Sequence, residues 1–154
     1  MMYELVKTLH VLSAAVLFGT GMGIAFFQFA AWRAKDVATF AGVARLTVMA
    51  DWLFTATAVV AQPVTGGLLV TMAGYQWNEP WLLWSYACYL IAGAFWLPVV
   101  WMQMRVAKRA HEARAANAPL PDEVHKLMRL WFWFGWPAFA AVIAAYWLMI
   151  AKPA

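Results

Sequence analysis

Apolar residues run along this chain in four long stretches, and polar residues collect in the breaks between them. The stretches run from about Tyr3 to Trp32, Val43 to Met72, Pro80 to Met104 and Leu127 to Ile150. A helix rises about 1.5 Å per residue, so about 20 apolar residues cross the hydrocarbon core of a bilayer. Each stretch reaches that length. The pattern predicts an all-α, integral membrane four-helix bundle forming one domain over residues 1–154.

Punctuation supports the boundaries. Pro80 stands where a first-turn proline loses no hydrogen bond. Asp122 and Glu123 follow Pro121 and place negative charge at the start of the fourth helix, ahead of its apolar part. The polar segment "RVAKRAHEARAANAPLPDEVHK" is Ala-rich in its first half, which extends the third helix to about residue 115 before "NAPLP" breaks it. The first span carries Lys7 and His10, is longer than a secretory apolar core, and leads into further spans. It is read as retained.

On a helical wheel His10, Ala14, Leu17, Gly21, Ile24 and Gln28 share one stripe, with Tyr3 above and Lys7 at its edge. Gly19 and Gly23 form a G-x-x-x-G pair on the other side, which permits close helix approach within the chain or in a homodimer. The second span aligns Asp51, Thr55, Val59, Gln62 and Gly66. The third aligns Trp81, Ser85, Cys88, Tyr89, Ala92, Trp96 and Gln103. An acid inside a span must be paired, neutralised or wet. For Asp51 the structural reading is an ion pair with Arg45 or Arg129, and the functional one is a proton relay. Pro63 lacks an N–H, so it frees a backbone carbonyl and is expected to kink the helix.

Composition narrows the class. The chain is 66% hydrophobic and 12% charged, against about 25% charged in soluble domains. The net charge of +4 does not imply nucleic acid, because of the eleven Lys and Arg all but Lys7 and Lys152 flank the first and third loops. The positive-inside rule places those loops in the cytoplasm and both termini outside, in the periplasm if the membrane is a bacterial inner membrane. Trp32, Trp77, Trp81, Trp101 and Trp131 fall at the expected interfaces, as an aromatic belt would. A single cysteine, Cys88, excludes an intrachain disulfide. No phosphate-binding glycine loop, Cys-x-x-Cys or H-E-x-x-H occurs.

The chemistry that remains centres on His10, roughly 7–10 Å inside the outer end of its helix at about 1.5 Å per residue. At that depth the other spans offer Gly66 and Gly67, then Ser85, Tyr86, Cys88 and Tyr89, then Ala144, Ala145 and Tyr146. Small residues mean either tight packing or room for a flat ligand. A neutral imidazole can simply hydrogen-bond across helices, or it can ligate haem in a bundle core. His111 and His125 lie in the polar segment among Glu112, Asp122 and Glu123, match no metal-ligand spacing, and read as a solvated surface.

"KTLHVLSAAVLFGTGMGIAFFQFAAWR" and "ARLTVMADWLFTATAVVAQPVTGGLLV" resemble, with the rest of the chain, a group of bacterial predicted integral membrane proteins known as a domain of unknown function, DUF2269. More distantly, the Lys-x-x-His opening of the first helix is similar to CopD-type copper-resistance proteins and to HemJ-type protoporphyrinogen oxidases. The second resemblance covers Lys7 and His10 only. It implies a haem b protein in which His10 is an axial iron ligand and Lys7 neutralises a propionate. Gly66, Tyr86, Tyr89 and Tyr146 would then line the pocket, and a quinone or porphyrin would be the redox partner. Met72, Met149 or a second His10 in a homodimer would supply the opposite ligand, or the iron would be five-coordinate. The CopD resemblance implies instead a copper or small-ion route past Asp51, Gln62 and Gln28. A scaffold without ligand is the third expectation.

Overall fold

The computed structural model describes residues 1–153. Four helices account for nearly all of them: α1 Met2–Arg33, α2 Val37–Ala73, α3 Pro80–Ala115 and α4 Asp122–Ala151. All four are long and apolar enough to cross a membrane, and no strand occurs among the described residues. The third helix extends past its apolar part to Ala115, as its Ala-rich tail predicts. The second starts six residues earlier than its apolar stretch (43 against 37), because Asp36 caps it. The carboxylate accepts the amide proton of Thr39 at 2.8 Å.

α1 packs along the second half of α2, α3 packs along α4, and the first half of α2 packs on α3. The main core lies at the end of the bundle that carries the basic loops. Phe40, Ala44, Val106, Ala110, Val124 and Met128 are sealed there, ringed by Ile24, Ala31, Met102 and Trp131. The opposite end holds a smaller cluster of Val70, Trp81 and Leu82. Large apolar side chains such as Phe26, Phe27, Trp52, Leu53, Trp133 and Ile150 point outward. That inversion suits contact with lipid tails, which are as apolar as the core.

Trp77 and Trp101 are exposed, as belt residues are, but Trp81 and Trp131 turn into the two cores. Trp32 donates its indole N–H to Nδ1 of His125 at 2.9 Å. His125 is thus a hydrogen-bonded partner of α1, not the solvated side chain that its polar neighbours predict. A Cβ on Gly19 or Gly23 would meet nothing within 4 Å, whereas one on Gly21 would stand 3.3 Å from the Phe139 ring. Close packing within the chain therefore uses a different glycine of α1. Beyond the apolar spans, Glu123 of α4 accepts from Arg105 at 2.7 Å and from Arg109 at 2.9 Å, which ties α3 to α4.

Two features interrupt α2. Residues Asp51–Thr55 form a π-helical turn, and Pro63 stands inside the following α-helical part. π-turns insert one residue and occur often at functional sites. Pro63 withdraws the amide that would bond the carbonyl of Val59, four residues back.

Candidate functional site

α1 and α2 are joined at His10 by one face of α2. Nδ1 of His10 lies 2.8 Å from Oγ1 of Thr65. The threonine hydroxyl has one proton, and it is directed at the carbonyl of Ala61, 2.6 Å away in the preceding turn. Such back-bonding is usual for threonine in a helix. With the hydroxyl proton on that carbonyl, its oxygen accepts from the ring, which is the tautomer that carries the proton on Nδ1. Nε2 keeps its lone pair and has no hydrogen-bond partner among the described residues.

The backbone around His10 is clasped as well. Gln62 donates through Nε2 to the His10 carbonyl at 2.8 Å and to Ser13 Oγ at 2.6 Å. Ser13 also donates to that carbonyl at 3.0 Å. A Cβ on Gly66 would stand 3.3 Å from Cε1 of His10. Glycine there makes the space that the imidazole fills, so Gly66 seats the ring and does not open a gap for a second flat group.

The tyrosines expected around this site have other duties. The Tyr89 hydroxyl donates to the Val59 carbonyl at 2.8 Å, the acceptor that Pro63 leaves free. The Tyr146 hydroxyl donates to the carbonyl of Ala14, and its ring packs edge-on against Phe18. Both are braces between helices. Tyr86 faces outward. Lys7 is exposed one turn beyond His10, with its ammonium 6.0 Å from the Tyr3 ring centroid. Met149 packs on the small Val70–Trp81–Leu82 cluster, and Met72 is exposed. Thr65 and Ser13 escaped the sequence reading. Their signal was a hydroxyl directly before each of two residues already on inward stripes, Gly66 and Ala14.

A second polar group lies nearer the basic end. Asp51 is 4% exposed and Gln103 is 2% exposed. The expected ion pair of Asp51 with Arg45 or Arg129 does not form. Ion pairs among the described residues are confined to Arg105, Arg109, Glu112 and Glu123. Six residues amount to about 240° around a helix of 3.6 residues per turn, so Arg45 emerges on another face. Arg129 directs Nε to the His125 carbonyl at 3.3 Å. Thr55, Trp96 and Gln103 face the acid instead. Asp51 Oδ2, Thr55 Oγ1, Trp96 Nε1 and Gln103 Oε1 are all buried without a completed hydrogen bond. Gln28, fully buried on α1, donates to the Met128 sulfur at 3.7 Å, and its Oε1 is also without a partner. No three His, Cys, Asp or Glu side chains gather into a metal site among the described residues.

A family model described as a predicted integral membrane protein (DUF2269) matches residues 4–153. No curated protein and no solved structure matches the chain.

Proposed function

The chain belongs to that family of predicted integral membrane proteins, and we propose that within it His10 is an axial ligand of haem b in a redox protein of the bacterial inner membrane. The observation that carries this reading is the His10–Thr65 contact of 2.8 Å. Histidines that ligate metals characteristically donate their second ring N–H to a fixed acceptor, which sets the tautomer and aims the other nitrogen. Thr65 is such an acceptor because its own proton is engaged by Ala61. Gln62 and Ser13 hold the backbone beneath the ring, so the imidazole is oriented before any ligand arrives.

A haem bound there would supply one-electron chemistry, with a potential set by its axial ligands and surroundings. Lys7, exposed one turn further out, is placed to receive an anionic propionate at the membrane surface. Three of the residues expected to line the cofactor fit that role poorly. The imidazole takes up the space at Gly66, and Tyr89 and Tyr146 brace backbone carbonyls. A macrocycle held by His10 would have to lie on the Nε2 side of the ring. The basic end lies in the cytoplasm by the positive-inside rule, which puts His10 in the outer half of the bilayer. A membrane quinol or a porphyrinogen is the electron donor suited to that depth.

The test is an optical spectrum of the full chain purified from haem-replete cells, oxidised and then reduced with dithionite. A Soret band that His10→Ala abolishes and Tyr86→Phe leaves intact is expected. A colourless wild-type preparation that gains no band when haem is added overturns the reading.

A further inference from the structure

We propose that the groove between α2 and α3 at the basic end binds the headgroup of an anionic phospholipid. The groove encloses about 660 Å³ and is bounded by Ala41, Gly42 and Leu46 with Ala107, and by Arg45, Lys108, His111 and Arg114. Its floor is apolar and its rim is cationic. That is the division a phospholipid presents at the boundary between acyl chain and phosphate.

Charge sorting at this end of the bundle makes the groove more than a generic basic surface. The helix acids Glu112 and Glu123 are taken by Arg105 and Arg109 at 2.7–2.9 Å. Those two arginines are thereby neutralised. Arg45, Lys108 and Arg114 enter no ion pair among the described residues, and all three converge on one cleft. Asp36 sets a single negative charge within the field of Arg114. An excess of fixed positive charge remains at the groove.

Position supplies the class of anion. The apolar parts of α2 and α3 end near Val43 and Met104; the α2 groove residues straddle the first end and the α3 groove residues lie just beyond the second. The site therefore sits at headgroup level, where basic pockets between membrane helices recognise phosphate headgroups. Several positive charges favour a lipid with two phosphates, such as cardiolipin, over one with a single phosphate. Gly42 holds the floor open, since a Cβ there would meet nothing within 4 Å.

The test counts lipids retained by the purified full chain in native mass spectrometry, after exchange into cardiolipin, phosphatidylglycerol or phosphatidylcholine. Retention is expected in the order cardiolipin, phosphatidylglycerol, phosphatidylcholine. Removing one charge by Arg45→Gln or Arg114→Gln should weaken cardiolipin retention about fivefold, and the triple change with Lys108→Gln about a hundredfold. Gly42→Leu keeps every charge, fills the cleft, and should also weaken it. Arg33→Gln with Lys35→Gln removes two charges from the same end outside the groove and should leave retention unchanged. Equal loss in that control, no effect of Gly42→Leu, or equal retention of phosphatidylcholine overturns the proposal. Displacement of the lipid by inorganic phosphate would show a site for a free anion and would overturn it too. Far-ultraviolet circular dichroism of each variant separates lost binding from lost fold.

Discussion

The hydroxyl of Tyr89 lies 2.8 Å from the carbonyl oxygen of Val59, the one backbone acceptor in α2 that Pro63 deprives of its amide. A tyrosine on α3 thus completes a hydrogen bond that a proline removed from α2. In lipid an unsatisfied carbonyl has no water to turn to, so the brace and the proline belong together.

That relationship predicts a non-additive pair. Tyr89→Phe should destabilise the bundle by about 0.6 kcal/mol, the average for side-chain hydrogen bonds between membrane helices, and by no more than about 1.7 kcal/mol, their maximum. In a Pro63→Ala background the amide of residue 63 can serve Val59, and Tyr89→Phe should cost much less. Unfolding of the four variants in detergent, read as a double-mutant cycle, measures the coupling. Equal costs in both backgrounds would mean that the tyrosine does not compensate for the proline.

The tautomer of His10 can be measured directly. Nitrogen NMR of the ligand-free protein with labelled imidazoles should show the proton on Nδ1. Thr65→Val removes the acceptor and should shift the population toward Nε2–H. Gly66→Ala places a methyl group 3.3 Å from Cε1 and should displace the ring without changing its protonated nitrogen. A wild-type spectrum dominated by Nε2–H would contradict the Thr65 assignment.

Asp51 is buried with no counter-charge, and its Oδ2 has no hydrogen-bond partner among the described residues. Such a carboxylate costs stability, and an uncharged replacement is often neutral or stabilising. Asp51→Asn should therefore raise the unfolding midpoint or leave it unchanged, and Arg45→Gln should leave it unchanged. Had the two formed a buried ion pair, removing one partner would cost about 3–5 kcal/mol. Thermal unfolding of both variants in one detergent separates these outcomes.

At the start of α2, hydrogen bonds from Thr39, side chain and amide, hold the Asp36 carboxyl below the usual carboxylate range. A depressed value in the folded state means that the cap stabilises above the ordinary carboxylate pKa of about 3.9 and fades as pH falls through the folded value. Acid titration should loosen the first turn of α2, observable as a loss of hydrogen-exchange protection, relative to the intrinsic rate at each pH, at Phe40 and its neighbours. Asp36→Asn keeps a capping oxygen and should hold that protection constant across the range.

The four spans, the long polar extension of α3 and the inward stripe of α1 were all legible in the order of residues. Each rests on local periodicity or on a count of consecutive apolar positions, and neither needs a partner helix. Gln62 was legible as an inward polar group beside a helix breaker for the same reason.

The partners of those groups were not legible. Asp51 sat in the sequence within reach of Arg45, yet the π-turn and the helical period bring Thr55, Trp96 and Gln103 to it instead. Tyr89 and Tyr146 stood at the depth of His10, but depth does not say which atom a long side chain meets. His125 looked solvated until α1 delivered Trp32 to its ring. By itself, then, the sequence determined that this chain is a bundle of four membrane-length helices with one histidine inside it, because bilayer thickness and helical rise depend on length and polarity alone. Only the tertiary structure decided which hydroxyl stands against that histidine's Nδ1, which tyrosines are braces and which basic residues share a groove. Those follow from the packing of one helix face on another, and hydrogen bonds form only between the atoms that such packing brings within about 3 Å.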